Sequence, residues 1–249
     1  MKILVEGIAA EYGDEGAGPV VLLLHGWKDT LHTFDALMPI LAKHFRVVRV
    51  DLPGFGGSEA PSVSWCLEDY ARFVERFVSK LQLTVHLLVG HSFGGRIVIK
   101  GVSTRVLIPR KVVLIASAGI AKANPLRIVA VAALAKLGKV ILCVPPLVFW
   151  KQKLRNIFYA RIGSDYASAG ALQDTFLRVV REDLSAHARD ITLPALLIWG
   201  DGDTQTPLAD GKRLSELISC ARLVVVPGAD HLVHQKYPKQ VAGFITDFL

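Results

Sequence analysis

Cysteine is scarce in this chain and follows no useful pattern. Cys66, Cys143 and Cys220 are odd in number, far apart, and never in a C-x-x-C spacing. That argues against a disulfide framework or a zinc site, and it suits a reducing, cytoplasmic setting. Each of the three is expected to be a small buried hydrophobe. The N-terminus, MKILVEGIAAEYGDEG, lacks a signal-peptide apolar region because Glu6 intervenes early, and it has no small-residue cleavage pattern. It is expected to be an unprocessed first strand, Lys2 to Ile8. An uninterrupted apolar run of membrane-spanning length is missing too. The best candidate, residues 123–150, is interrupted by Arg127, Lys136 and Lys139 and broken by Pro145-Pro146, so no transmembrane segment is expected.

The charge is unbalanced, at +7. Between Gly119 and Asp190, eleven Lys and Arg face five acids, so that one segment carries +6 of the +7. The excess belongs to an insertion and not to a groove-fitting helix with interleaved aromatics, and no nucleic-acid partner is expected. A basic, apolar segment of this kind could make weak peripheral contact with an anionic membrane surface.

What is present is an apolar chain, 51% hydrophobic and 20% charged, of 249 residues. That is enough for one sizeable core with an insertion. Short apolar runs alternate with longer amphipathic ones. Strands are expected at Val20 to His25, Arg46 to Asp51, Val85 to Val89, Lys111 to Ala116, Ala195 to Trp199 and Arg222 to Val226. Helices are expected at Thr33 to Lys43, Cys66 to Leu81, Phe93 to Thr104, Leu208 to Ile218 and Lys239 to Phe248. Strands separated by helices imply an α/β fold with a mostly parallel central sheet flanked by helices. Ligands in such sheets bind beyond the carboxyl ends of the strands, so the residues after each strand matter most.

After Val85 to Val89 comes Gly90-His91-Ser92-Phe93-Gly94, which fits G-x-S-x-G. A sharp strand-to-helix turn crowds the backbone, and glycines on either side of Ser92 make room for it. The helix that follows would aim its first N–H groups toward Ser92, where an anion would form. After Val20 to Leu24 comes His25-Gly26-Trp27, whose glycine lets the Trp27 N–H turn toward the same place. With the N–H of Phe93 it could make a two-donor oxyanion hole. Asp51, in the turn-rich Asp51-Leu52-Pro53-Gly54-Phe55-Gly56-Gly57-Ser58, is expected to brace its loop. After Ala195 to Trp199 stand Asp201 and Asp203, either of which could orient a histidine. After Arg222 to Val226 comes Pro227-Gly228-Ala229-Asp230-His231. His234 is expected at the start of the final helix.

Ser92, Asp203 and His231 thus occur in the order Ser, Asp, His, and with these five motifs the sequence strongly resembles the α/β-hydrolase fold superfamily, in its serine-hydrolase, carboxylesterase-like branch. The resemblance spans nearly the whole chain outside one insertion. It implies that Asp203, not Asp201, is the triad acid, because Gly200, Asp203 and Pro207 fall in the register G-x-x-D-x-x-x-P. It also implies that the loop Ser117-Ala118-Gly119-Ile120-Ala121, which supplies the acid in some relatives, cannot do so here. Relatives that cleave carbon–halogen bonds or epoxides generally carry Asp where Ser92 stands.

The resemblance further implies a core of residues 1–118 and 186–249 and a helical cap over 119–185. The expected activity is hydrolysis of small to medium carboxylic esters through an acyl-enzyme, with Ser92, Asp203 and His231 catalytic and the backbone N–H groups of Trp27 and Phe93 holding the oxyanion. Hydrolysis of carbon–carbon bonds in β-diketone-like compounds, or of lactones, would use the same triad, and a ligand-binding receptor could keep the fold. The expected partner is a small-molecule ester, with no cofactor and no metal, in a monomer or homodimer.

Overall fold

The computed structural model describes residues 1–120 and 170–249. Most of the segment expected to form the cap lies outside the described residues, as does Cys143. The chain divides into two units, Met1–Ile120 with Glu182–Leu249, and Ala121–Arg181. The described residues of the second unit form a 3-10 turn at Gly170–Leu172 that leads into a helix at Gln173–Arg181, here α4, with Thr175, Phe176 and Val179 buried.

The first unit is built on an eight-stranded sheet in the order β1-β2-β4-β3-β5-β6-β7-β8. The strands are β1 Lys2–Val5, β2 Ile8–Glu15, β3 Val20–Leu24, β4 Arg46–Val50, β5 Val85–His91, β6 Lys111–Ile115, β7 Ala195–Gly200 and β8 Ala221–Val226. From β4 onward across the sheet every pairing is parallel; β1 with β2 and β2 with β4 are antiparallel. The continuous apolar runs have the burial such a sheet demands. In β3 all five residues are buried, as a strand covered on both faces must be.

Helices α2 Leu67–Lys80 and α3 Phe93–Ser103 pack on each other, and α3 also packs on β5. In the remaining core cluster, Val21, Leu23, Val113, Ile115 and Ile198 meet Leu37 and Leu41 from the neighbourhood of α1 Met38–Leu41, and Val241 and Ile245 of the last helix. The other helices are α5 Ser185–Arg189, α6 Leu208–Leu217, α7 Val233–Lys236 and α8 Pro238–Phe248. Among the described residues no helix is long and apolar enough to cross a membrane.

Connectivity fixes where a ligand can sit. The chain leaves β3 toward one side to make β4, then crosses back to the other side of β3 to make β5. At such a reversal ligands bind beyond the carboxyl ends of the strands, here those of β3 and β5. The loops holding Trp27 and Ser92 begin there.

Some expectations are corrected. The single strand at Lys2 to Ile8 is a hairpin instead: Glu6 and Gly7 both have positive φ, 48° and 84°, and Val5 pairs with Ile8 across the turn. The helix at Thr33 to Lys43 is reduced to a 3-10 turn, Leu31–Phe34, and the four-residue α1. Pro39 lacks the N–H that a continuous helix would need there. Asp35 is drawn instead to the Arg49 guanidinium, which also donates to the Leu31 carbonyl at 3.3 Å. Cys220 is exposed in the turn before β8, and Cys66 is half-buried before α2, where its N–H donates to Asp69 Oδ2 at 2.7 Å. Neither is a core residue.

Where the chain returns from the second unit, it is bound to α3. Lys100 Nζ donates to Glu182 Oε1 at 2.7 Å and to His187 Nε2 at 3.1 Å. An ammonium only donates, so His187 carries its proton on Nδ1 and gives it to Ser103 Oγ at 2.8 Å. Arg96 adds a bond to the Glu182 carbonyl.

Candidate active site

Ser92 lies between the last residue of β5 and the first of α3, with φ 50° and ψ −107°. A residue with a side chain reaches such a region only when its surroundings hold it there, at a cost of order 1–3 kcal/mol. Here the Ser92 N–H donates to the Ile115 carbonyl at 3.0 Å, and its own carbonyl accepts from Ala118 at 3.2 Å. The turn is so tight that a Cβ on Gly90 would lie 2.6 Å from the Gly94 backbone. From Leu87 to Ile99, every residue is buried except Ser92. The strained turn therefore lifts one hydroxyl out of an otherwise closed stretch of core.

His231 and Asp203 come together on the loops after β8 and β7. His231 Nδ1 lies 2.8 Å from Asp203 Oδ2, and both residues are buried, at 7% and 5% exposure. A carboxylate only accepts, so the proton is on Nδ1 and the Nε2 lone pair is left as the basic site. The other carboxylate oxygen, Asp203 Oδ1, accepts the N–H groups of Gln205 at 2.8 Å and Thr206 at 2.9 Å. Burial pushes the Asp203 carboxyl up, but its bonds to His231 and Thr206 outweigh that and hold it below the usual carboxylate value. Thr206 Oγ1 sits 2.8 Å from Asp203 Oδ2 and 3.0 Å from the Ala116 carbonyl, tying the acid loop to the end of β6. Asp201 faces elsewhere and accepts the Gly228 N–H at 2.7 Å, bracing the turn that precedes His231.

The loop after β3 is held from below. Leu52 N–H donates to His25 Nε2 at 2.9 Å, which leaves the His25 proton on Nδ1, 2.7 Å from the Gly26 carbonyl. Burial lowers the His25 pKa and keeps the ring neutral, as this pairing requires. Because the peptide is planar and trans, fixing the Gly26 carbonyl turns the Trp27 N–H of the same unit to the opposite side. Phe93 is the first residue of α3, so its N–H has no intrahelical acceptor. The two residues are neighbours, with ring centroids 5.2 Å apart edge to face, and Phe55 packs on Trp27 at 4.9 Å. Asp51 braces this region as expected, accepting Leu31 N–H at 2.6 Å and Gly57 N–H at 2.8 Å.

Ser92 meets the histidine loop through its neighbour. His91 Nε2 lies 3.1 Å from the His231 carbonyl, and the two rings are 4.9 Å apart. His234 is in α7, a short helix ahead of the final one, and it is fully buried beneath His91 with ring centroids 4.3 Å apart. Sequence reasoning passed over His91, His234 and Thr206 as participants. Only their places inside the motifs, adjacent to Ser92, His231 and Asp203, could have drawn attention to them.

A sequence model described as the alpha/beta hydrolase family matches residues 21–244. Among curated proteins, the chain is 29% identical over 264 residues to a 2-(acetamidomethylene)succinate hydrolase from Mesorhizobium japonicum, an alignment covering 100% of this chain and 94% of that protein. Among solved structures it is similar to an enol-lactonase from Burkholderia xenovorans, with a TM-score of 0.76 and 23% identity over 100% of this chain and 99% of the other. A meta-cleavage product hydrolase from Pseudomonas fluorescens gives a TM-score of 0.75 at 21% identity, covering 100% of this chain and 96% of that one. At such identities the structural likeness speaks for the fold alone.

Proposed function

Because the chain belongs to the alpha/beta hydrolase family, we propose that it is a serine hydrolase cleaving carboxylic esters of small to medium acyl chains. The observation that carries this reading is the His231–Asp203 bond: with Nδ1–H given to Asp203, Nε2 is left as the basic atom, on a loop whose His231 carbonyl is joined to His91, the residue before Ser92. His231 takes the Ser92 proton as Oγ attacks the ester carbonyl, and returns it to the departing alcohol. Asp203 holds the ring in that tautomer and stabilises its charged form. The backbone N–H groups of Trp27 and Phe93 receive the oxyanion, each such donor being worth on the order of 3 kcal/mol in the barrier. Water then attacks the acyl-enzyme with the proton moving by the same route in reverse. Residues 119–185 would cap this site and line the acyl pocket.

Lactones are cyclic esters and need no change in this machinery, and a carbon–carbon hydrolase would use the same three side chains. The names of the similar lactonase and meta-cleavage product hydrolase keep both within the proposal. The test is turnover of p-nitrophenyl esters of increasing acyl length by wild type and Ser92→Ala, each checked for folding. Wild type is expected to turn over many equivalents, with the alanine variant lower by on the order of 10⁶-fold. Equal rates in the two proteins overturn the role of Ser92. A wild type that ignores every ester but opens a lactone or cleaves a β-diketone-like compound moves the substrate class while leaving the triad in place.

A further inference from the structure

We propose that His91 is a positioning residue: its Nε2–H, given to the carbonyl of His231, ties the strand that carries the nucleophile to the loop that carries the base. The inference rests on the reading of Ser92 and His231 as nucleophile and base, and concerns how they are brought into register.

The sheet alone does not bring them there. Ser92 follows β5 and His231 follows β8, with β6 and β7 between them. Three inter-strand steps at about 4.8 Å put those strand ends roughly 14 Å apart, so the His231 loop has to lean back across two strands. Asp203, on the loop after β7, orients the ring but lies on a loop of its own. The bond from His91 to the His231 carbonyl joins residues 140 apart in sequence and links the elbow directly to the base's backbone.

His91 is built for this and for little else. It is 2% exposed. A carbonyl only accepts, so Nε2 must carry the proton. Burial, and the two imidazoles beside it, push its pKa well below the ordinary value, so the ring is neutral and Nδ1 is a lone pair. That lone pair has no hydrogen-bond partner. It faces the loop after β3, where a Cβ on Gly26 would lie 3.1 Å away. His234 backs the ring on one side, and is itself held at Nε2, 2.9 Å from Thr33 Oγ1. One imidazole thus links the nucleophile's strand, the loop of Trp27 and the loop of His231. A filler of the same shape would satisfy the packing; only a donor satisfies the His231 carbonyl.

The experiment compares wild type with His91→Phe, which keeps the ring volume and loses the donor, and His91→Gln, whose side-chain N–H reaches about as far as Nε2. The readouts are labelling of Ser92 by a fluorophosphonate, steady-state hydrolysis of p-nitrophenyl acetate, and thermal melting. A misplacement of about 1 Å costs on the order of 10²-fold. His91→Phe is therefore expected to lower kcat and the labelling rate by about 10- to 100-fold with KM within about twofold, and His91→Gln to recover most of the loss. Phe behaving as wild type, or Gln failing as badly as Phe while melting like wild type, overturns the inference. A wild type unlabelled at Ser92 overturns the reading beneath it and takes this one down too. If neither variant folds, the nitrogen-15 shifts of His91 in wild type decide: an Nε2–H tautomer is expected, and an Nδ1–H tautomer overturns it.

Discussion

Asp51 and Asp203 begin from the same circumstances and end in different work. Each lies just beyond a parallel strand, β4 or β7, each is buried, and each carboxylate accepts backbone N–H groups from its surroundings. Asp51 spends both oxygens this way, Oδ1 on Leu31 and Oδ2 on Gly57. Asp203 gathers its two backbone donors, Gln205 and Thr206, onto Oδ1 alone. Its Oδ2 is thereby left to face His231 Nδ1. What separates a carboxylate that shapes a loop from one that orients a base is the distribution of backbone donors between its two oxygens.

The largest test of this contrast is Asp203→Asn. The amide can offer an N–H toward His231 and favour the wrong tautomer, so kcat is expected to fall by on the order of 10⁴-fold while the protein still folds. Activity within tenfold of wild type, by ester hydrolysis, would break the comparison. Asp51→Asn should do the converse. Losing charge-assisted bonds to buried backbone is expected to cost about 2–4 kcal/mol in urea unfolding, with kcat per folded molecule within about tenfold. An Asp51→Asn protein of native stability but no activity would erase the distinction.

Acid sharpens the comparison further, since both neighbourhoods contain neutral buried histidines. His25 lies beside the Asp51 loop; His91 and His234 lie beside His231, with burial pushing His234 down to about 3. Folding holds these rings neutral, so the unfolded chain takes up protons first as pH drops. Stability is full above about pH 6.5 and falls below it, by about 1.4 kcal/mol per pH unit for each such ring, until its folded-state pKa is reached. His234→Gln is expected to flatten that slope between pH 6 and 4 by the share of one ring, read from denaturant midpoints against pH. An unchanged slope would mean His234 charges as readily folded as unfolded. The smallest expected effect is at Thr206→Val, which keeps the shape and removes one hydroxyl from Asp203 Oδ2. About a fivefold loss of kcat is expected, the worth of one net hydrogen bond.

The sequence was most readable where burial dominates. β3 and β7 are apolar runs buried throughout because both sheet faces are covered, and β8 stays legible as an apolar run although it is only partly buried; that pattern placed Ser92, Asp203 and His231 beyond strand ends, where they are found. Reading weakened where local and distant demands compete. Glu6-Gly7 lies inside the stretch expected as one strand, yet their two positive φ values turn the chain back into a hairpin. Residues 33–43 have helical periodicity, but Pro39 and the pull of Arg49 on Asp35 dismantle the helix. His91 and His234 were hardest to see: a histidine inside an apolar run declares neither its tautomer nor its partner, and theirs come from loops more than a hundred residues away.

The chain departs from the sheet after β6 and rejoins it before β7, yet those two strands are hydrogen-bonded neighbours. Just beyond them, Leu184 N–H meets the Gly119 carbonyl at 2.9 Å, and Glu182 and His187 are clasped to α3 by Lys100. The two ends of the intervening stretch are therefore stapled together by the core itself, like the posts of a socket. The register of the sheet at that point is therefore set by bonds the core makes with itself, β6 to β7 and Leu184 to Gly119, and not by the length of chain between Gly119 and Leu184.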